Sequence, residues 1–188
     1  MILVVGAAVV VAGVIGGVVW ANSGGGPVLR LSQQFPPEAM TIIEDSWSDF
    51  VAAFPNQRGC LGDVDLVAVS DLPDGDASYD FADHLIRVLV PSSPRRFPES
   101  LVHEFGHHLE ASCPVVDEIG ARFMALQGFP PDQDWYRGEV WFSTPSEHFA
   151  ETVVQVVRGE RLIHARDIAL SSAAVDLVRQ WGGTPAND

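Results

Sequence analysis

The stretch LVHEFGHHLE, residues 101–110, gathers His103, Glu104, His107 and His108 within a few positions of one another. On an α-helix, residues four apart share a face, so His103 and His107 can aim both imidazoles at one metal ion. Glu104 sits about 100° further round the helix, beside the ion rather than on it. A base for a metal-bound water must stand there. His-Glu-x-x-His on a helix is thus a motif with a mechanism: two zinc ligands and a general base for hydrolysis. The competing reading is a solvated helix in which the histidines are incidental. His108 faces away from the His103/His107 side.

Two histidines do not complete a zinc site. A third protein ligand is needed, with one position left for water. Downstream candidates are Glu118, Glu147, His148 and Glu151. Glu118 follows His107 by only eleven residues and would need a very tight turn. Glu147 and Glu151 lie one turn apart on the same face of a helix, offering one carboxylate to the ion and another to its outer shell. Thr144-Pro145-Ser146-Glu147 also reads as a capping box, in which the glutamate merely caps its own helix. His148, adjacent to Glu147, reads as a surface or outer-shell residue.

HEFGH followed by PSEHFAE resembles the gluzincin metallopeptidases of the anthrax lethal factor catalytic-domain type, over roughly Tyr79 to Arg158. The resemblance implies a small zincin-like domain that binds one Zn²⁺ and cleaves a peptide or protein substrate. It assigns the third ligand to Glu147 and the outer-shell carboxylate to Glu151. It also implies that the strand HLIRVLVP is the edge along which an extended substrate pairs. Some relatives carry a tyrosine two turns before the third ligand to stabilise the oxyanion. Here that place reads Val140-Trp141, and Tyr136 is the nearest phenol able to serve. The alternative from another class is a membrane-tethered zinc-binding module that holds a peptide or cell-wall fragment without cutting it.

The elements that must position these residues follow from periodicity. Pro98 suits a helix's first turn, and Leu101, Phe105 and Leu109 recur every four residues to anchor the motif helix in a core. Gly106 costs about 1 kcal/mol in a helix interior, which close approach of another segment would explain. Cys113-Pro114 ends that helix. PPEAMTIIEDSWSDFVAAF reads as a helix with Ile42, Trp47, Phe50 and Val51 as its apolar stripe. Val28–Leu31 reads as a short extended stretch, and Val64–Ser70 and His84–Val90 as strands. The acidic segment between them, Asp71–Asp83, reads as a solvated turn on Asp74-Gly75, with calcium binding through Asp71, Asp74, Asp76 and Asp80 as the alternative. VVDEIGARFMALQG, PSEHFAETVVQVVRGE and Asp167–Trp181 read as further helices. Together these give an α+β domain over residues 29–188, a short mixed sheet packed on the motif helix with the third-ligand helix across a cleft.

Residues 2–21 form an uncharged apolar run of membrane-spanning length, either a transmembrane anchor or a removed signal segment, followed by a flexible linker at 22–28. Either way the domain is expected outside the cytoplasm, anchored to a membrane or secreted. There Cys60 and Cys113 are expected to be bridged, against the alternative of two buried thiols. That bridge would stabilise the fold by about 4 kcal/mol on the chain-entropy model. The net charge of −14, with arginine as the only strong base, repels phosphate backbones and excludes nucleic acid as a natural partner.

Overall fold

Five strands form one mixed sheet: β1 (Val18–Ala21), β2 (Val28–Leu31), β3 (Val64–Val69), β4 (Ala77–Asp80) and β5 (Leu85–Leu89). Among the described residues there are five α-helices: α1 (Pro37–Ala53), α2 (Phe97–Ser112), α3 (Ala121–Gln127), α4 (Pro145–Arg158) and α5 (Ser172–Gly182). The computed structural model describes residues 18–21, 26–32, 35–73, 75–161 and 168–184. The strand order is β1-β2-β3-β5-β4, with the β2, β3 and β5 neighbours parallel and β1 and β4 antiparallel at the two edges.

Side chains alternate across the sheet with period two, so each central strand sends branched residues to one face. Leu29, Leu31, Val64, Leu66, Ile86 and Val88 are all buried in the core shared with α1 and α2. Phe105 of α2 meets Trp47 at 5.1 Å and Phe50 at 5.3 Å between ring centroids, locking the two helices together. Leu101, Phe105 and Leu109 are fully buried, as their spacing requires. In α1 Trp47, Phe50 and Val51 are buried as expected, joined by Ile43, while Ile42 is only partly buried at the core's edge.

Gly106 has a visible cause. A Cβ there would stand 2.9 Å from the Ala150 Cα, because α4 crosses α2 at this point. The missing side chain brings the two helices together one turn from His103 and directly beside His107. Cys60 and Cys113 are bridged, tying the segment before β3 to the end of α2.

Three expectations change. The segment 71–83 is not all turn, because β4 occupies Ala77–Asp80 and pairs with β5 as an edge strand. The strand expected at the edge, β5, is therefore internal. Tyr79 and Asp80 take part because a hairpin closed through residues 81–84 gives their backbone groups a ladder, which outweighs their weak alternation. Asp76 pairs with Arg96 at 2.9 Å, and Asp80 pairs with Arg87 while accepting the Ala82 amide. These pairings take up carboxylates that a calcium loop would need. Asp74 lies outside the described residues. At the N-terminus, Val18–Ala21 do not continue an apolar helix but pair with β2. The rest of the expected anchor or signal, and most of the linker, lies outside the described residues; Val28, given to the linker, already begins β2. Among the described residues no helix is long and apolar enough to cross a membrane.

Candidate metal centre

Helix α2 presents His103 and His107 on one face, and α4, brought close by Gly106, sets Glu147 opposite them. His103 Nε2 lies 3.2 Å from His107 Nε2 and 3.1 Å from Glu147 Oε2, and the third side of the triangle, His107 Nε2 to Glu147 Oε2, is 3.5 Å. Donors held about 2.05 Å from a tetrahedral ion stand about 3.3 Å apart. The triangle therefore has the dimensions of one face of such a site, and this trio could hold a metal ion.

The far side of each imidazole explains why these nitrogens converge. His103 Nδ1 faces Glu151 Oε1 at 3.0 Å, and His107 Nδ1 faces Glu110 Oε2 at 3.1 Å. A carboxylate partner fixes the proton on Nδ1 and leaves the Nε2 lone pair free. Two lone pairs and a carboxylate oxygen then point at one volume. With both imidazoles neutral that arrangement repels itself, so the centre draws in either a cation or protons. Both supporting carboxylates are themselves held. Glu151 pairs with Arg161 at 3.2 Å, and Arg161 also donates to the Ile168 carbonyl. Glu110 accepts from the Ser146 hydroxyl at 2.7 Å and from the Trp135 indole at 3.1 Å.

The electrostatics agree with an appetite for positive charge. Burial alone would lower the His103 imidazole, but hydrogen bonds to Glu147 and Glu151 outweigh it and raise its pKa to about 9. Burial opposes His107 likewise, and Glu110 and Glu147 raise it well above its ordinary value. Burial pushes Glu147 up, yet hydrogen bonds from the two histidines hold its carboxyl far below the usual range. Glu104 moves the other way, raised by burial against the two histidines' pull. Buried beside the trio, Glu104 lines both cavities of the cleft.

Each sequence candidate now has a place. Glu147 is at the triangle and Glu151 behind it. The capping box does not form, since Thr144 caps α4 without a side-chain hydrogen bond and Glu147 turns to the histidines. Glu118 is exposed and accepts from the Trp181 indole, away from the trio. His148 is neither a surface residue nor an outer-shell ligand; it is buried between the Phe142 carbonyl and the Gln127 amide. His108 does face away, reaching the Gly62 carbonyl and the Tyr79 hydroxyl. Tyr136 is half exposed on the cleft wall against Phe81. Sequence reasoning missed Glu110, Ser146, Trp135 and Arg161. Glu110, three residues past His107 on the same helix, carried a signal in its spacing; the others are brought in by tertiary packing. No family model, curated protein or solved structure significantly matches the chain.

Proposed function

We propose that this protein is a zinc-dependent peptidase acting outside the cytoplasm. The observation that carries the reading is the His103–His107–Glu147 triangle beside a buried glutamate, Glu104, in an open cleft. Two imidazoles and one carboxylate are a donor set of the catalytic zinc type, which keeps a fourth position open. Bound zinc supplies Lewis acidity, lowering the pKa of a water toward about 7 and polarising the scissile carbonyl. Glu104 takes the proton as water attacks the carbonyl carbon and delivers it to the leaving amine. Its raised pKa suits that exchange, because a base works best near the operating pH. Glu151 and Glu110 hold the imidazoles in the ligating tautomer. Tyr136, on the cleft wall, is the phenol proposed to meet the developing oxyanion. The disulfide fits an oxidising compartment. The resemblance to gluzincins rests on the motif residues alone.

The deciding experiment replaces Glu104 by glutamine, which keeps size and loses basicity. Hydrolysis of a peptide library should fall by about 10² to 10⁴ while zinc stays bound. Cleavage unchanged in Glu104→Gln would end the peptidase reading. Peptide binding without cleavage in the wild type would instead identify a zinc-bearing binding module.

A further inference from the structure

Large apolar side chains left in water on a soluble surface mark binding sites when they gather in one place. Six large hydrophobic residues are exposed among those described: Phe81, Val116, Tyr136, Val140, Trp141 and Phe142. All but Val116 lie in two segments that border the metal triangle, the β4–β5 turn and the loop before α4. Their rings touch the ligands themselves. Trp141 stacks on His103 at 6.1 Å between centroids, and Phe81 packs on His107 at 5.8 Å. Tyr136 closes the set, edge-on to Phe81 at 5.5 Å.

The cleft has two halves that share only Ala77, His103, Glu104 and Trp141 as lining residues. Trp141, over His103, therefore stands with Ala77 at the waist between them. The smaller half, about 600 Å³, carries the Asp76–Arg96 pair, Glu99, Ser100 and Glu151 along its lining. The larger half, about 830 Å³, holds Phe81, Tyr136 and one side of Trp141. Its ionisable lining beyond the aromatic phenols is the centre itself, Glu110 beneath His107, and His84. The charged residues of the adjoining loop, Asp134, Arg137 and Glu139, do not line it. Glu147 and Glu110 in this lining face the histidines, and Glu104 is buried beside them.

We infer that the larger half of the cleft is a specificity pocket, in which Phe81, Tyr136 and Trp141 take a bulky apolar side chain of an extended peptide next to the bond held over the metal triangle. This rests on the peptidase reading for the word substrate, but the pocket stands on its own aromatic wall. Transfer of a large apolar side chain from water into such a wall supports a preference of about tenfold to a hundredfold over alanine.

The test separates the two claims by measuring binding, not turnover. Full-length, zinc-loaded Glu104→Gln protein is titrated with blocked heptapeptides identical except for a central Phe, Leu, Ala, Lys or Asp. The Phe and Leu peptides should bind about tenfold or more tightly than the other three. Phe81→Ala should flatten that ranking, and Phe81→Leu should restore most of it, while zinc content and far-ultraviolet circular dichroism stay unchanged. Tightest binding of the Lys peptide, equal binding of all five, or a ranking untouched by Phe81→Ala would overturn the pocket. Cleavage by the wild type is scored separately. An apolar ranking without any cleavage keeps the pocket and sinks the peptidase, whereas cleavage without a ranking does the reverse.

Discussion

Helix α2 carries two histidine clusters on opposite sides, and neighbouring residues belong to different ones. His107 joins His103 and Glu147, with carboxylates behind both imidazoles. His108, the next residue, donates Nε2–H to the Gly62 carbonyl at 3.0 Å and turns Nδ1 to the Tyr79 hydroxyl at 3.1 Å. Tyr79 in turn meets His84 Nδ1 at 2.8 Å. Burial opposes charge on both sides of the helix. What differs is the partner. Carboxylates raise His103 to about 9 against its burial, while around His108 burial outweighs the Gly62 carbonyl and lowers its pKa to about 4. One side of the helix collects positive charge and the other refuses it. A histidine-rich helix becomes a metal-site candidate only where carboxylates stand behind the rings.

The strongest way to break this comparison is to delete one histidine from each side. His107→Ala should abolish stoichiometric zinc, whereas His108→Ala should retain about one equivalent per folded protein. Glu147→Gln should follow His107→Ala, because it removes a ligand's charge. Elemental analysis of protein purified without chelator reads all three. Equal zinc in His107→Ala and His108→Ala would show that the triangle is not the site.

How much of this division was legible beforehand depends on which forces place each residue. The i, i+4 spacing of His103 and His107 needs only helix geometry, and so did the opposite facing of His108. Glu147 was open between ligation and capping on residues alone, since both use a glutamate at the start of a helix; packing of α4 on Gly106 turns it to the two histidines, and no side-chain cap forms. The core helices and β2, β3 and β5 were readable because their apolar periodicity is strong. Strand β4 was not, because its sequence, Ala-Ser-Tyr-Asp, has no alternation and its pairing comes from the hairpin. That hidden strand supplies Tyr79, the hydroxyl on which the second cluster depends.

A finer cut removes the carboxylates behind the rings while leaving the ligands. Glu151→Gln and Glu110→Gln should each weaken zinc binding about 10- to 100-fold, the usual scale for residues that orient a ligating histidine. Competition with a chelator of known affinity measures it. Glu151 is tied to Arg161 and Glu110 to Ser146 and Trp135, so folded content must be checked in each variant. Affinity unchanged in both would mean that the carboxylates serve the fold and not the metal, and the contrast with His108 would lose its cause.

The smallest effect belongs to the second cluster and concerns pH. His108 is fully buried, with a native pKa lowered to about 4 against an unfolded value of about 6.5. Between those values the unfolded chain binds a proton that the native chain refuses, so protons favour unfolding. The neutral imidazole's contribution is complete above pH 6.5 and is lost as pH falls toward 4. From pH 6.5 to 5 the loss is at most about 2 kcal/mol. The groups facing His108 are the Tyr79 and Ser112 hydroxyls, His84, the Gly62 carbonyl and Asp63. Positive charge on His84 would add to the penalty and Asp63 would ease it. His108→Gln keeps a hydrogen-bonding side chain but cannot titrate. Its urea-unfolding free energy should start lower at pH 7 and fall less steeply between pH 6.5 and 5 than that of the wild type. Both should be followed in excess chelator, so that metal release from the other face of α2 adds nothing to the slope. Equal slopes would show that His108 carries no depressed titration, and the two faces of the helix would no longer differ in the way their partners require.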